Sequence, residues 1–220
     1  MPTTSIHCRN ISCRRASWNG CPRDEVRNFS GEFEAGTATA FRGPDECGIG
    51  LLMNVLGMIE RPDSGDLIVL GRTVLDLETA EASDLRDRKF GFLFTHPHLL
   101  PTFNVAENIA MPFLRLRNNS AEDATVRVSE VLAFSGLEES IGKGHTAELD
   151  AERLWRVAFA RAIVHRPEIL VAISPPAHFL LPLAARYARE NAACVLWNAG
   201  VDGEAFECDR VIEPAFAQRE

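Results

Sequence analysis

The chain has 220 residues, of which 46% are hydrophobic, so it can bury a core of its own and is most simply one domain. Its formal net charge of -8 gives no general attraction to phosphate backbones, which argues against nucleic acid as a partner. Neither a secretory leader nor an apolar run long enough to cross a bilayer is visible, so we expect a cytoplasmic protein.

The first elements follow the order strand, strand, strand, loop, helix. The stretches "SIHCRNIS" (5–12) and "EVRNFSGEFEAG" (25–36) alternate in the manner of β-strands. "TATAFRG" (37–43) is a third strand that leads directly into a glycine-containing loop. After this loop, "LLMNVLGMI" (51–59) predicts an apolar helix.

Two further strand predictions precede a helical region. "DLIVLGRTV" (66–74) predicts a strand, a turn and a short strand, and "KFGFLF" (89–94) predicts another strand. Apolar residues then recur at helical spacing, which predicts a helical lobe over residues 95–160. Its helices are predicted in "NVAENIAMPFLRLR" (104–117), "SAEDATVRVSEVLAFSG" (120–136) and "DAERLWRVAFARAIVHR" (150–166).

The last third returns to an α/β pattern. "EILVAI" (168–173) and "ACVLWN" (193–198) are apolar enough for strands buried on both faces, with a helix in "PLAARYAREN" (182–191) between them. Residues 1–94 and 161–220 are therefore predicted to form an α/β core around the helical lobe, within a single domain over residues 1–220.

The cysteines and histidines do not predict a metal site. Six cysteines are scattered without a C-x-x-C pair, which favours reduced thiols over disulfides or zinc. The group near the start of the chain lacks the regular spacing of zinc ligands. Its members are His7, Cys8, Cys13 and Cys21.

The loop "GPDECGIG" (43–50) has the glycine spacing of a phosphate-binding loop without its reactive side chains. In a working loop of the pattern G-x-x-x-x-G-K-[ST], amides cradle phosphates, a lysine reaches the β and γ groups, and a hydroxyl holds magnesium. Gly43 and Gly48 fit this pattern, but Ile49 and Gly50 stand where lysine and serine belong.

The order of these motifs resembles the ATP-binding subunit of ABC transporters, in particular the lipoprotein-release and macrolide-export subfamily. There GPSGSGKSTLLNLLG is followed by RPTSG; here "GPDECGIGLLMNVLG" is followed by "RPDSG". The similarity continues through "FGFLFTHPHLLPTFNVAENIAMPF", "RVAFARAIVHRPEILVAISPP" and "CDRVI". It implies an α/β P-loop NTPase (RecA-like) core of ABC ATPase type, with an N-terminal antiparallel β portion and an inserted α-helical lobe.

The resemblance also identifies positions where nucleotide-handling residues have been replaced. Thr95 aligns with the Q-loop glutamine, and Asn198 aligns with the switch histidine. Ile173 and Ser174 align with the Walker B aspartate and the catalytic glutamate. Arg15 aligns with the aromatic residue that stacks on adenine.

The signature motif is replaced as well. The family's LSGGQ aligns with "LDAER", and Asp150 in this stretch is predicted to be an ordinary helix N-cap. The D-loop aspartate aligns with Leu180. Because the chain has only two lysines and one glutamine, no small shift of the alignment restores the motifs. The signature residues are Leu149, Asp150, Ala151, Glu152 and Arg153.

These replacements predict a protein without ATPase activity, to which ATP and magnesium are not expected to bind tightly. Phosphoryl transfer depends on positioning and neutralising negative charge, and the neutralising side chains are absent. Asp45 and Glu46 in the loop would add repulsion of roughly 4 kcal/mol per carboxylate at 4 Å from a phosphate oxygen. We hypothesise that these carboxylates accept hydrogen bonds from the loop amides, so that the loop fills itself.

The segment after the Q-loop keeps the family pattern. In the family it lines a groove that receives a cytoplasmic helix of the membrane subunit, so the resemblance implies docking on a membrane permease at the inner face of the membrane. The alternative is that these residues simply pack the helical lobe. The predicted docking residues are Phe94, Leu99, Leu100, Pro101, Val105, Asn108 and Ile109.

Three functions are therefore in competition. The first is a catalytically inactive ABC ATPase-like subunit with a structural or regulatory role in a membrane transport complex. The second is a slow ATPase in which Arg42 replaces the lysine. The third is a soluble regulator that places Asp150 and Glu46 against the nucleotide of an intact ABC ATPase. Pairing with a second cassette, as a homodimer or heterodimer, is left open.

Overall fold

The computed structural model describes residues 3–15, 24–43, 48–116, 119–200 and 208–214. The chain forms an α/β fold with one antiparallel sheet, one parallel sheet and a helical lobe. The strands in chain order are β1 (Thr4–Arg15), β2 (Asp24–Glu34), β3 (Ala38–Arg42), β4 (Ser64–Val69), β5 (Arg72–Thr73), β6 (Phe90–Leu93), β7 (Ile169–Ile173), β8 (Cys194–Gly200) and β9 (Arg210–Ile212). The helices are α1 (Ile49–Leu56), α2 (Thr79–Lys89), α3 (Val105–Arg115), α4 (Ala121–Phe134), α5 (Ala151–Ile163) and α6 (Ala177–Asn191).

The two sheets differ in strand direction and position. The antiparallel sheet has the order β2-β1-β4-β5, and the parallel sheet has the order β6-β7-β8-β3-β9. Helix α1 contacts strands of both sheets and therefore packs between them. This is the architecture expected of an ABC-type P-loop core with an antiparallel β portion.

The parallel sheet separates two hydrophobic cores. Side chains of Val171 and Leu196 enter the core shared with α1 and the antiparallel sheet. The alternate residues Ala172 and Trp197 enter the core shared with α6 and the helical lobe. Burial on both faces explains why β7 and β8 are continuous apolar runs rather than alternating ones.

Every strand and helix named in the sequence analysis is present, but helix α2 and the short strand β9 were not predicted. Helix α2 has only one buried residue, Leu85, so its sequence lacks the apolar spacing on which helix predictions rest. The Glu81 carboxylate accepts a hydrogen bond from the Glu78 amide at 3.0 Å, a capping contact that offered a weak signal. Helix α6 also begins at Ala177, five residues before the predicted start, and carries Pro182 inside it.

Candidate functional site

The carboxyl edge of the parallel sheet brings together three of the residues that the resemblance selected, Gly43, Ile173 and Asn198. Asn198 of β8 pairs with Phe41 of β3 on one side and with Ile173 of β7 on the other. The Gly43 amide at the end of β3 donates to the Gly200 carbonyl at 3.2 Å, which ties the start of the glycine loop to β8. The loop, Ile173 and Asn198 therefore occupy adjacent positions at one sheet edge.

Gly48 ends the loop at a position that requires glycine. Its backbone is left-handed, with φ of 75°, and it serves as the N-cap of α1. A Cβ at this position would also lie 2.9 Å from the Glu25 carbonyl oxygen of β2. The turn that leads into α1 therefore depends on glycine at position 48.

Ile49, which the sequence comparison aligned with the family's lysine, points into the protein interior. Its side chain is fully buried and belongs to the core between the two sheets. The Cδ1 atom reaches back to Gly43, where an added Cβ would lie only 2.9 Å away. Hydrocarbon, rather than a mobile ammonium group, therefore crosses the base of the loop. At Gly50, in contrast, an added Cβ would have no neighbouring atom within 4 Å.

The hypothesis of a self-filled loop concerns residues outside the described part of the chain. Asp45 and Glu46 lie between the described ranges 24–43 and 48–116. Their hydrogen bonds to loop amides stay a prediction. The buried Ile49 side chain is a separate feature that fills the base of the same loop.

The remaining positions at the sheet edge lack the groups that handle metal and water in ATPases. Ile173 is partly buried against the core between the sheets. Ser174 follows it in a left-handed conformation, with φ of 52°. Asn198 is 4% exposed, and its Oδ1 accepts from the Gly200 amide at 3.1 Å. Thr95 lies just beyond β6 and is exposed.

The two arginines near the loop are already engaged. Arg42 Nη1 lies 3.6 Å from the Glu213 carboxylate just beyond β9, and its Nε is buried with no partner among the described residues. Arg15, at the position of the adenine-stacking residue, pairs with Glu60. A phosphate near Arg42 would therefore compete with the Glu213 carboxylate for Nη1.

The replaced signature segment forms an ordinary helix start. Asp150 caps α5 by accepting from the Arg153 amide at 2.8 Å, as the sequence predicted. Glu152 pairs with Arg156 at 2.8 Å, and Leu149 packs against the core of the lobe. Leu180, at the D-loop position, is fully buried in α6.

Replacing Asp150 with alanine tests the structural role of this cap. We expect Asp150→Ala to lower the free energy of unfolding by about 1 kcal/mol, because the first-turn amides of α5 lose an acceptor. Urea denaturation measures this change. Glu152→Ala is the matched control, since it removes an exposed pair worth roughly 0.5 kcal/mol or less. Equal losses in the two variants would contradict the capping role.

The predicted docking residues divide into two groups. Leu100 is 39% exposed, Pro101 is exposed, and Phe94 and Leu99 are partly buried, so these side chains reach the surface. The prediction that the other three also anchor a partner is wrong. Their exposure is 0%, because they face the interior of the helical lobe. These residues are Val105, Asn108 and Ile109.

Sequence reasoning missed the residue that holds the segment just after β6. The Arg161 guanidinium of α5 donates to the carbonyls of Pro97 and His98 at 2.7 and 2.6 Å. Burial lowers the pKa of Arg161. His96 and His98 have ring centroids 5.9 Å apart and both are exposed. The described residues contain no group of three or more possible metal ligands.

A parallel sheet with a glycine loop at its carboxyl edge, an antiparallel sheet and a helical lobe define an ATP-binding-cassette type of domain. The family model described as ABC transporter matches residues 26–174, and the chain belongs to that family. Within the described ranges, no helix has the length and apolar character needed to cross a bilayer.

Comparison with solved structures gives the same fold. The dimeric structure of MJ0796, a bacterial ABC transporter cassette, has a TM-score of 0.81 and 23% identity, covering 94% of this chain and 93% of that one. The structure of cbiO1 from Clostridium perfringens, part of the ABC transporter complex cbiONQ, has a TM-score of 0.80 and 18% identity, covering 96% and 84%.

Proposed function

We propose that this chain is a catalytically inactive ABC cassette that serves a structural or regulatory role in a membrane transport complex. The observation that carries the proposal is the buried Ile49 side chain at the base of the glycine loop. A phosphate group there would meet hydrocarbon where a cation is needed. The cost of bringing phosphate charge to this place is therefore not offset by an ion pair.

The other positions at the sheet edge support the same conclusion. Metal-assisted hydrolysis needs a carboxylate to hold the ion's water shell and a group to orient the attacking water. Ile173 and Ser174 supply neither group, and the amide oxygen of Asn198 is turned to its own backbone. We therefore propose that no ATP or magnesium is bound in a productive way.

The contacts of Arg42 and Asp150 give less support to the two alternatives, a slow ATPase and a soluble regulator. In a slow ATPase based on Arg42, the Glu213 carboxylate, which lies 3.6 Å from Arg42 Nη1, would compete with phosphate for that nitrogen. A regulator that presents Asp150 to another subunit's nucleotide would use a carboxylate that already caps α5. The inactive subunit requires no rearrangement of either residue.

Docking on a membrane subunit is proposed from the family and from one exposed surface. The relative cbiO1 is part of a transporter complex, and MJ0796 is dimeric. In this chain Phe94, Leu99, Leu100 and Pro101 reach the surface beside a segment that Arg161 holds in place. We propose that this surface contacts the permease on the cytoplasmic side of the membrane. Pairing with a second cassette is a further proposal, taken from the dimeric relative.

Nucleotide binding is the direct test of inactivity. We expect isothermal calorimetry and thermal shift to detect no ATP binding tighter than about 1 mM, with or without magnesium, because lysine contacts are absent. Binding below about 100 µM would mean that loop amides suffice, and would overturn the proposal.

A turnover assay separates the slow-ATPase alternative from contamination. Residual hydrolysis that disappears in Arg42→Ala would support that alternative. Hydrolysis that survives both Arg42→Ala and Gly48→Glu would come from another enzyme. Co-purification with a membrane subunit under mild detergent extraction tests the docking proposal, and a monomer without any membrane partner would count against it.

A further inference from the structure

A cavity of about 680 Å³ opens within the helical lobe, between α3 and α4. The 3₁₀ helix Glu139–Lys143 forms its third side. The described residues that line it all lie between positions 103 and 143, so they come from the lobe and not from the strands or helices of the α/β core. The cavity therefore belongs to the lobe alone.

Small residues on all three sides keep this space open. A Cβ added at Gly142 would lie 3.7 Å from the Ala106 Cβ and 3.9 Å from Leu132 Cδ1, so neither neighbour fills the gap. The buried part of the lining is hydrocarbon, since Leu132 and Val128 are 1% and 6% exposed. The small residues of the lining are Ala106, Ala110, Ala121, Ala124 and Gly142.

Large apolar side chains are left exposed at the edge of the cavity. Phe103 is 37% exposed and Leu114 is 47% exposed, and both line the cavity. Met111 lines it between them with a flexible side chain that adapts to irregular shapes. An apolar ligand in the cavity would remove this hydrocarbon surface from water, which favours binding.

The charged residues of the lining fall into two groups. Arg115 and Glu107 are already engaged: Arg115 Nη2 donates to Asp87 at 2.8 Å, and Glu107 Oε2 accepts from a backbone amide before α3 at 2.8 Å. Glu139 and Lys143 are exposed, and among the described residues neither has a hydrogen bond or ion pair, with each other or with another group. One free carboxylate and one free ammonium group therefore border the same apolar space.

We propose that this cavity binds a single-chain amphiphile with a zwitterionic head group. The alkyl chain lies between α3 and α4, where it covers Phe103 and Leu114. The anionic part of the head group pairs with Lys143, and its cationic part pairs with Glu139. A head group of one charge would gain one of these pairings and meet a like charge at the other. Lysophospholipids, with one acyl chain and a head group that carries a phosphate and an amine, belong to this class.

The size of the cavity favours a small ligand over a helix of another protein. Its volume of about 680 Å³ lies within the range of about 300–1,000 Å³ typical of small-molecule sites. Two turns of a helix about 10 Å wide would need roughly 850 Å³. A flexible alkyl chain can also follow the irregular surface that the alanines leave.

The test compares three amphiphiles of similar chain length that differ in head group: dodecylphosphocholine, dodecyltrimethylammonium and laurate. Each is titrated into the full chain below its micelle concentration, and isothermal calorimetry gives the dissociation constant. We expect the zwitterion to bind about fivefold more tightly than either charged amphiphile, the factor of one exposed ion pair. Raising the salt concentration should reduce this difference.

Two variants at exposed positions test the pairing of the head group. Lys143→Gln should weaken dodecylphosphocholine binding about fivefold and shift the preference toward dodecyltrimethylammonium. Glu139→Gln should shift the preference toward laurate. General loss of folding cannot shift the preference in opposite directions in two variants of the same 3₁₀ helix.

A third variant tests where the alkyl chain binds. Ala121 is exposed on α4 and lines the cavity, so Ala121→Leu places a larger side chain in the space and should weaken all three amphiphiles about tenfold. Ala133→Leu is the matched control, because Ala133 is exposed on the same helix and does not line the cavity. The control should bind as the unchanged protein does. Thermal melts without amphiphile check that both variants fold.

Several results would overturn the inference. Equal affinities for the three head groups, in the unchanged protein and in both charge variants, would indicate adsorption to exposed hydrocarbon. Equal binding by Ala121→Leu and Ala133→Leu would place the site elsewhere. If no amphiphile binds, and Ala121→Leu loses a membrane subunit that Ala133→Leu retains on purification, the cavity holds a segment of a protein partner instead.

Discussion

Replacing Ile49 with lysine, the residue that the family carries there, is expected to destabilise the protein and to leave it without ATPase activity. The Ile49 side chain is fully buried in the core between the two sheets. An ammonium group in its place loses hydration, and the substitution forfeits apolar burial. Together these effects should lower the free energy of unfolding by about 3 kcal/mol.

Gly50→Ser is the matched control, because it restores the other half of the missing lysine–serine pair. Gly50 lies in the first turn of α1, and a Cβ added there meets nothing within 4 Å. Glycine inside a helix costs about 0.5–1 kcal/mol relative to alanine, so serine should be neutral or slightly stabilising. Urea denaturation of Ile49→Lys and of Gly50→Ser measures the free energy of unfolding of each variant.

The expected lack of ATPase activity in Ile49→Lys follows from the other residues of the site. Even with lysine at position 49, Ile173, Ser174 and Asn198 offer no carboxylate for the metal or for the attacking water. A coupled assay should therefore show background turnover for Ile49→Lys alone and for the double variant with Gly50→Ser. Full stability of Ile49→Lys would show that the base of the loop accommodates a charge, and our interpretation of Ile49 would be wrong.

The strands and the glycine loop could be predicted because their physical causes are local. The alternation in residues 5–12 follows from a strand with one buried face, and the apolar run in 168–173 follows from a strand buried on both. The glycine at position 48 is required by a left-handed turn. The arrangement of two sheets and a lobe came from family resemblance, since spacing alone does not determine strand order.

The errors arose where tertiary contacts decide the outcome. Helix α2 buries only Leu85, so its apolar pattern was too weak to detect. Ile109 has the spacing both of a docking residue and of a core residue, and only its burial decides between these roles. Arg161 lies more than sixty positions from Pro97 and His98, so no local pattern reveals that it holds them.

Asn108→Ala is expected to give the second large effect, on both stability and docking. The Asn108 side chain is fully buried, and its amide lies within hydrogen-bonding distance of four backbone groups of the turn before α3. Its Oδ1 accepts from the Leu100 amide at 2.7 Å. Its Nδ2 lies 3.0, 3.2 and 3.0 Å from the carbonyls of Leu100, Phe103 and Asn104. One side chain therefore determines the shape of the turn that presents Leu100.

Removing this side chain leaves part-buried backbone groups without partners, which should cost about 2–4 kcal/mol in the free energy of unfolding. Asn108→Leu separates hydrogen bonding from volume, because leucine fills the space and cannot bond the turn. We expect leucine to recover little of the loss, and urea denaturation of both variants measures it. If leucine restored stability fully, packing rather than hydrogen bonding would hold the turn.

The same variants connect the turn to function. When the turn loses its hydrogen bonds, Leu100 and Pro101 are no longer held in one arrangement, and the surface must be ordered again on binding at an entropic cost. Co-purification with a membrane subunit should therefore fall in Asn108→Leu under conditions where the variant is still folded. Leu100→Ala, which removes a contact residue that is 39% exposed, should weaken the association with little loss of stability. A variant that loses stability but keeps its partner would place the docking surface elsewhere on the molecule.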